Sequence, residues 1–133
     1  MQAVSARFPR TLNQGMQIET CDNSGAKLLK VVSIIGNKTV KGRKPAAVIG
    51  DMVLASVRKG NPEMRKQVVF AVIVRQKKEF RRYTGERIKF EDNAAVVVKD
   101  EQGNPKGTLI KGPIAKEAAL KWPAVSKIAE MII

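Results

Sequence analysis

Hydrophobic residues along most of this chain fall in short runs with a period of two, which predicts β-strands. The predicted strands lie at 16–21, 26–35, 51–57, 68–74, 94–98 and 108–111. Turn formers separate them, as at 22–25 (Asp-Asn-Ser-Gly) and 60–62 (Gly-Asn-Pro), where Gly and Asn accept positive φ angles. Because no helical period alternates with these strands, the pattern predicts a mainly β fold, either a small barrel or a sandwich.

The period of the apolar residues changes from two to 3.6 after Gly112 and Pro113. Residues at the i, i+3, i+4 and i+7 positions of a helix then occur in two consecutive sets, Ala115, Ala118, Ala119 and Trp122, followed by Val125, Ile128, Ala129 and Ile132. Pro123 ends the first helix and opens the second, and Glu117 and Lys121 are spaced to form an i,i+4 ion pair. Two short C-terminal helices are therefore predicted.

The length of the chain favours one domain. Its 133 residues are enough to bury a core, and residues 1–15 show no period, so they are predicted to form an extended arm that carries Arg7 and Arg10. The predicted parts of the domain are the arm at 1–15, a barrel at 16–111 with a ribbon at 75–90, and a helical region at 112–133.

The most basic stretch lies between two apolar runs, 68–74 and 94–98. From Arg75 to Lys89 it holds seven basic and two acidic residues, a net +5 of the chain's formal +13. The flanking runs are typical of paired core strands, so the basic stretch is predicted to project from them as a two-stranded ribbon.

Side-chain pairing decides the register of this ribbon. A two-residue loop would place Arg82 opposite Arg87, and like charges directly opposite each other are destabilising. A three-residue loop, Tyr83-Thr84-Gly85, instead pairs Arg82 with Glu86 and puts the Gly at the left-handed position of a bulged turn. We therefore predict the three-residue loop.

That loop also determines which side chains share a face of the ribbon. It pairs Phe80 with Ile88 and Glu79 with Lys89. Strand alternation then gives one apolar face and one basic face, formed by Phe80, Ile88 and Phe90 and by Arg81, Arg87 and Lys89. One face is expected to pack on protein while the other meets an anion.

The chain is strongly basic, with 25 Lys and Arg residues against 12 Asp and Glu residues. Such a field attracts polyphosphates, which favours nucleic acid or an anionic membrane surface as partner. No uncharged run approaches the roughly 20 residues of a spanning helix, and the N-terminus lacks the apolar segment of a signal peptide, so no membrane partner is expected. The single cysteine, Cys21, fits a reducing compartment.

Three basic segments are predicted to bind nucleic acid. They lie at 38–44, 58–66 and 75–89, in loops or at strand ends, and repulsion among them costs stability unless phosphate neutralises it. The predicted RNA-binding residues are Lys38, Lys41, Arg43, Lys44, Arg58, Lys59, Arg65, Lys66, Arg75, Lys77, Lys78, Arg81, Arg82, Arg87 and Lys89.

Aromatic residues make up only 5% of the chain, whereas proteins that read single strands present several of them as stacking platforms. Most of the six are better explained as core, which leaves Tyr83 at the loop tip as the exposed candidate. Recognition of the backbone and shape of a folded RNA is therefore favoured. A free-standing single-strand binder of the OB or cold-shock type is the alternative, and it requires exposed aromatics on a sheet face.

Residues suited to catalysis are scarce. The chain has no His, the commonest general base and metal ligand, and Cys21 is expected to be a buried structural thiol. Asp22, Asp51, Glu91 and Asp92 adjoin Gly or Asn at strand ends, where carboxylates hold turns. We predict no catalytic residue, no metal site and no cofactor. An enzyme of RNA metabolism, a further alternative, would need a magnesium site at Asp22 or Asp51.

Five segments between Met16 and Ile133 resemble a known family. They are CDNSGAK at 21–27, IGDMVLASVRKG at 49–60, AVIVRQKK at 71–78, GERIKFEDNAAVVV at 85–98 and GTLIKGPIAKEAA at 107–119. The chain resembles the universal large-subunit ribosomal proteins numbered fourteen in the bacterial scheme, in their archaeal/eukaryotic branch. The resemblance implies a five-stranded β-barrel with a projecting ribbon and a small helical C-terminal region.

The resemblance also implies a function and partners. Members assemble on large-subunit rRNA beside ribosomal proteins three and twenty-four-e, as non-catalytic structural proteins of the cytoplasmic ribosome. They lie on the face that meets the small subunit, so bridges to small-subunit rRNA are expected at 58–66 and near 103–107. The C-terminal helices at 115–133 are expected to dock the anti-association factor called initiation factor six.

Three residues depart from the family pattern. Tyr83 stands where Pro is common and Thr84 where Asp, Asn or Ser is usual, so we expect a less rigid ribbon turn until RNA is bound. Leu109 replaces a residue that is often charged, which argues against a polar contact there.

Overall fold

Twelve strands and two short helices make up residues 6–133, the part of the chain that this computed structural model describes. In chain order they are β1 (Ala6–Arg7), β2 (Leu12–Asn13), β3 (Gln17–Thr20), β4 (Ala26–Ile34), β5 (Ala46–Ala47), β6 (Met52–Gly60), β7 (Val68–Arg75), β8 (Phe80–Arg82), β9 (Arg87–Ile88), β10 (Ala94–Val98), β11 (Ile110–Ile114), α1 (Lys116–Lys121), α2 (Pro123–Lys127) and β12 (Ala129–Ile132). The mainly β fold with two short C-terminal helices is confirmed. Neither helix in this part of the chain is long and apolar enough to cross a membrane.

Five strands close into a barrel in the order β10-β3-β4-β6-β7. β10 completes the ring by pairing antiparallel with β7 and parallel with β3. The pairing of β4 with β6 shifts register at three places, and such irregularities bend a strand as a small barrel requires. The barrel, rather than the sandwich, is therefore the architecture.

Residues 71–74 of β7 and the whole of β10 are buried on both faces. Residues 71–74 and 94–97 are 0% exposed, and α1 and β11 of the C-terminal segment lie against β7. Ala115 N–H donates a hydrogen bond to Val74 O at 3.0 Å, which brings α1 against β7. Burial on both faces explains why these two strands are continuous apolar runs rather than alternating ones.

The segment predicted to be an extended arm forms two short strands that lie on the body. β1 pairs with β8 of the ribbon, and β2 pairs with β5. Leu12 in β2 is fully buried, and Arg10 Nη1 donates to Ala46 O at 3.3 Å. The arm is extended, as predicted, and its described part belongs to the fold. Residues 1–5 of the predicted arm lie outside the described residues.

The C-terminal region departs from the predicted helical stripe. α2 ends at Lys127, and the residues that follow form β12, which pairs in parallel with β11. Ile133 N–H donates to Ile114 O, and Lys116 N–H donates to Ile133 O, both at 2.9 Å. The edge of β11 supplies these backbone partners, so the chain leaves the helix to pair with it. The helical prediction for 125–132 is therefore wrong beyond Lys127.

The predicted pair of Glu117 with Lys121 is also wrong. Glu117 is only 6% exposed and contacts Arg82, with 2.6 Å between Oε1 and Nε. Lys121 Nζ instead lies 3.6 Å from Asp51 Oδ1. Because α1 turns this side towards the body, both side chains find partners there rather than along the helix.

Most predicted strands have the expected position, and β10 has the predicted bounds. β3, β4 and β7 differ from their predicted bounds by one residue at one end or both, and two other strands differ by more. β6 continues to Gly60, so Arg58 and Lys59 lie in a strand rather than in the following loop. β11 covers Ile110–Ile114 rather than 108–111.

Candidate nucleic-acid interface

The ribbon formed by β8 and β9 has the predicted register. Phe80 is the cross-strand partner of Ile88, and Arg82 N–H donates to Glu86 O at 2.9 Å. Gly85 N–H closes the loop on Arg82 O, also at 2.9 Å, with a Gly85 φ of +96°. The three-residue loop at 83–85 is thus confirmed, with Gly at the left-handed position.

The two faces of the ribbon also divide as predicted. Phe80 is 1% exposed, and its ring centroid lies 4.9 Å from that of Phe8. The side chains that share its face are half-buried, namely Ile88 and Phe90. The basic residues of the other face are exposed, namely Arg81, Arg87 and Lys89. The apolar face anchors the ribbon on the body, so the basic face is held outward.

Most of the predicted RNA-binding residues are exposed. They come from the loop between β4 and β5, from the end of β6 with its following turn, and from the ribbon with the residues that lead into it. The thirteen exposed ones are Lys38, Lys41, Arg43, Lys44, Arg58, Lys59, Arg65, Lys66, Lys77, Lys78, Arg81, Arg87 and Lys89. Within residues 6–133, Arg87 alone among them lies within 4.0 Å of a carboxylate, at 3.1 Å from Glu79. The predicted cross-strand pair of Glu79 with Lys89 is thereby replaced by a diagonal contact.

Arg75 and Arg82 have internal partners instead. Arg75 donates to Lys111 O at 3.1 Å, to Pro113 O at 3.3 Å and to Asp92 Oδ2 at 3.1 Å. The bonds to the two carbonyl oxygens join the end of β7 to β11, and the Arg75 side chain is only 12% exposed. Its guanidinium holds the barrel to the C-terminal segment, so an RNA contact by Arg75 stays a prediction.

Arg82 points from the ribbon into the junction with the C-terminal segment. Its Nε lies 2.6 Å from Glu117 Oε1, its Nη2 donates to Ile133 O at 2.6 Å, and its guanidinium carbon lies 5.8 Å from the centre of the Phe80 ring. Both charged side chains are largely buried, at 13% and 8% exposure. The contacts of Arg82 with Glu117 and Ile133 thus tie β8 to α1 and to the residue after β12. An RNA contact by Arg82 likewise stays a prediction.

Two exposed lysines have an unusual backbone. Lys41 has a φ of 60° and Lys66 a φ of 65°, a region that costs an L-residue roughly 1–2 kcal/mol. Lys66 N–H donates to Val57 O at 3.1 Å, so its turn is held against β6. Gly would adopt this conformation without strain but would remove a cation from each loop. Strain of this kind is characteristic of functional loops.

Several basic side chains of the same surface were absent from the predicted set. Lys27 and Lys111 line one cleft beside the predicted Lys59, together with Asn23 and Asn61. Lys30 lines a second one, beside Lys44 and Arg58. Lys27 and Lys30 lie in β4, where Lys27 is exposed and Lys30 is half-buried. Each stands singly between apolar residues, so neither belongs to a run of basic residues.

The aromatic side chains are mostly core, as predicted. Phe80 and Trp122 are buried, and Trp122 Nε1 donates to Gly50 O at 2.7 Å. Phe8, Phe70 and Phe90 are half-buried, whereas Tyr83 is 83% exposed. The structure therefore offers one exposed ring in residues 6–133 rather than the aromatic sheet face that an OB or cold-shock reader uses.

The acidic and thiol groups near the turns have structural partners. Burial raises the pKa of the Cys21 thiol to about 12, which keeps it neutral and unreactive. Asp22 accepts hydrogen bonds from Val97 N–H at 3.0 Å and from Ser24 Oγ at 2.9 Å, and burial raises the pKa of its carboxyl. Asp51 Oδ2 accepts from Val48 N–H at 3.0 Å. Within residues 6–133, no three His, Cys, Asp or Glu side chains are grouped to hold a metal ion.

These features define a small β-barrel protein in which, Arg87 apart, the exposed predicted cations have no carboxylate within 4.0 Å among residues 6–133. The chain matches the family model described as ribosomal protein L14p/L23e over residues 11–133. It is similar to proteins named large ribosomal subunit protein uL14 from three archaeal species. It is 53% identical to that of Methanothrix thermoacetophila over 133 residues, which is 100% of both chains. It is 51% identical to that of Methanococcus maripaludis over 132 residues, 99% of both chains. It is 50% identical to that of Nanoarchaeum equitans over 133 residues, 100% of both.

This chain therefore belongs to the ribosomal protein L14p/L23e family. The family match confirms the resemblance inferred from its sequence motifs and places the chain beside archaeal members. The barrel, the ribbon and the C-terminal helices agree with the fold that the resemblance implies.

Proposed function

We propose that this chain is a non-catalytic structural protein of the large ribosomal subunit that binds large-subunit rRNA through its exposed basic loops. One observation carries the proposal: thirteen predicted cations are exposed, and twelve of them have no carboxylate within 4.0 Å among residues 6–133. The formal net charge of the chain is +13, so the free protein bears the full repulsion among these loops. Phosphates relieve that repulsion and release counterions on binding.

Bridges to the small subunit are proposed at two neighbouring segments. The turn at 61–66 and the turn at 103–107 are far apart in the sequence, but Lys106 Nζ lies 3.1 Å from Met64 Sδ. Lys106 N–H also donates to Val97 O at 3.1 Å, which fixes the second turn at the end of β10. One continuous surface that carries Arg65, Lys66 and Lys106 supports a single contact with small-subunit rRNA.

A protein partner is proposed for the C-terminal surface. Leu120, Met131, Ile132 and Ile133 are 50%, 54%, 47% and 45% exposed, so the C-terminal segment presents four large apolar side chains to solvent. The family resemblance supports initiation factor six as the occupant of this surface, and ribosomal proteins three and twenty-four-e as neighbours in the assembled subunit. The assembly is cytoplasmic, as the ribosomal family and the unpaired, buried Cys21 support.

The affinity of the purified protein for large-subunit rRNA as a function of salt tests the RNA proposal. We expect a steep linear fall of log K with log salt concentration, and a double variant Lys41→Gln with Lys44→Gln should reduce the slope by about two. The matched control, Lys116→Gln with Lys127→Gln, removes the same charge from the C-terminal helices and should leave the slope unchanged. Equal slopes for both doubles, or a flat salt response of the wild type, would contradict the proposal.

A further inference from the structure

Three arginines form a row across the sheet that the arm and the ribbon share. β1 adds a third strand beside β8, with Arg7 directly opposite Arg81, and β9 places Arg87 opposite Arg81 on the other side. Directly opposite residues project from the same face of a sheet, and all three side chains are exposed. Adjacent strands are about 4.8 Å apart, so the three cations span roughly 10 Å.

This row is unfavourable for the free protein. Like charges directly opposite each other destabilise strand pairing, and within residues 6–133 no carboxylate lies within 4.0 Å of Arg7 or Arg81. Glu79 relieves Arg87 alone, at 3.1 Å. A sequence that keeps uncompensated arginines at paired positions is arranged for an anion that arrives from outside, and guanidinium groups match phosphate oxygens in a bidentate geometry.

An exposed aromatic ring lies beside the row of arginines. A cleft at the edge of the row is lined by Ala6, Arg7, Arg81, Arg82 and Tyr83. Tyr83 is 83% exposed, and its ring stacks on no other aromatic side chain of residues 6–133. A ring of this kind offers a stacking surface to a nucleobase, and the free energy of stacking depends little on which base it is. In a duplex, however, both faces of each base are already covered, so the ring requires an unpaired base.

We propose that this cleft binds one unpaired nucleotide of a folded RNA. The base stacks on Tyr83, and the phosphates beside it lie on Arg7 and Arg81. The inference rests on the proposed RNA-binding function and deepens it, because it turns a diffuse basic surface into a site with a defined ligand. It also adds Arg7 and Tyr83 to the predicted interface.

Two RNA hairpins serve as probes, one with a single bulged adenosine in its stem and one with the same stem fully paired. We expect wild-type protein to prefer the bulged hairpin by roughly tenfold, the effect of one stacked base. Tyr83→Phe keeps the ring and should keep the preference, whereas Tyr83→Ala should bind both hairpins equally. Tyr83 is the single tyrosine, so 3-fluorotyrosine labels it uniquely. Its fluorine resonance should shift with the bulged hairpin and not with the paired one.

Arginine variants test the phosphate part of the site. In Arg7→Gln, the slope of log K against log salt concentration for the bulged hairpin should fall by about one. The thermal midpoint of this protein variant should stay the same or rise, because a like-charge contact is lost. Lys127→Gln, an exposed cation on α2, should leave the slope unchanged.

The outcomes separate this inference from the broader proposal. Steep salt-dependent binding of both hairpins with no bulge preference would overturn the nucleotide site and leave RNA binding intact. A preference that survives Tyr83→Ala would also overturn the site. If the protein bound neither hairpin and did not bind large-subunit rRNA, both the nucleotide site and the RNA-binding proposal would be overturned.

Discussion

The two faces of the ribbon use the same residue type for opposite purposes. On the inner face, Arg82 is largely buried and holds Glu117 and the backbone of Ile133. On the outer face its neighbour Arg81 is exposed, lies between two further arginines, and has no carboxylate within 4.0 Å in residues 6–133. A basic residue in a run is therefore not by itself a binding residue. The period of the strand decides whether its charge stabilises the fold or faces the partner.

The largest expected effect comes from removing the inner arginine. Arg82→Gln leaves Glu117 buried without its cation, which should lower the free energy of unfolding by about 3 kcal/mol. Arg81→Gln, one residue away, should change it by less than about 0.5 kcal/mol. Urea unfolding of both variants measures the difference. Equal midpoints would show that the faces do not differ as the structure indicates.

A smaller effect is expected where the outer surface keeps a strained backbone. Lys66→Gly relieves the strain of a φ of 65° and should raise the free energy of unfolding by about 0.5 kcal/mol. This value is the relieved backbone strain minus the conformational-entropy cost of Gly. Lys38→Gly, in a basic loop but outside the positive-φ residues, should lower the free energy of unfolding instead. Urea unfolding compares the two variants, and RNA affinity should fall in both because each loses a cation. A loss of stability in Lys66→Gly would contradict the strain argument.

The smallest effects concern how inner and outer carboxyls respond to pH. Burial raises the pKa of Asp22 above its usual 3.8, so just above pH 3.8 the folded chain binds more protons than the unfolded chain. The contribution of Asp22 to the free energy of unfolding therefore falls as pH rises through that window. Asp22→Asn should remove this fall, as unfolding measured from pH 4 to pH 7 would show.

The exposed carboxyl of Asp100 should change the free energy of unfolding with pH in the opposite direction. A hydrogen bond from the Asn104 side chain lowers the pKa of Asp100 below 3.8, so its contribution is present above pH 3.8 and is lost as the pH falls through the lowered value. Asp100→Asn should therefore flatten the acid limb of the stability curve, whereas Asp22→Asn acts above pH 3.8. If the two substitutions changed the pH dependence of the free energy of unfolding in the same direction, the assignment of Asp22 to the interior would be contradicted.

Much of the fold follows from local pattern. The barrel strands and the register of the ribbon were predictable because a period of two and cross-strand charge pairing are written in neighbouring residues, as Arg82 and Glu86 show. The partners of Arg82 were not predictable, since Glu117 and Ile133 lie 35 and 51 residues away in sequence. For the same reason a local helical stripe gave no sign that β12 would pair with β11.

The candidate interface was predictable in outline for a similar reason. Runs of Lys and Arg located most of the exposed cations, but not Arg7, whose importance depends on its pairing with β8. Tyr83 was recognisable as exposed from its place in a three-residue loop. Its neighbours in the cleft come from β1 and β8, and no local pattern predicts that the arm pairs with β8.

Arg82 reaches position 133 through a main-chain oxygen rather than through a side chain. Replacement of Ile133 by almost any other residue would preserve that bond. Evolution is thus free to rewrite the outward chemistry of this position for a new protein partner while its attachment to the ribbon persists.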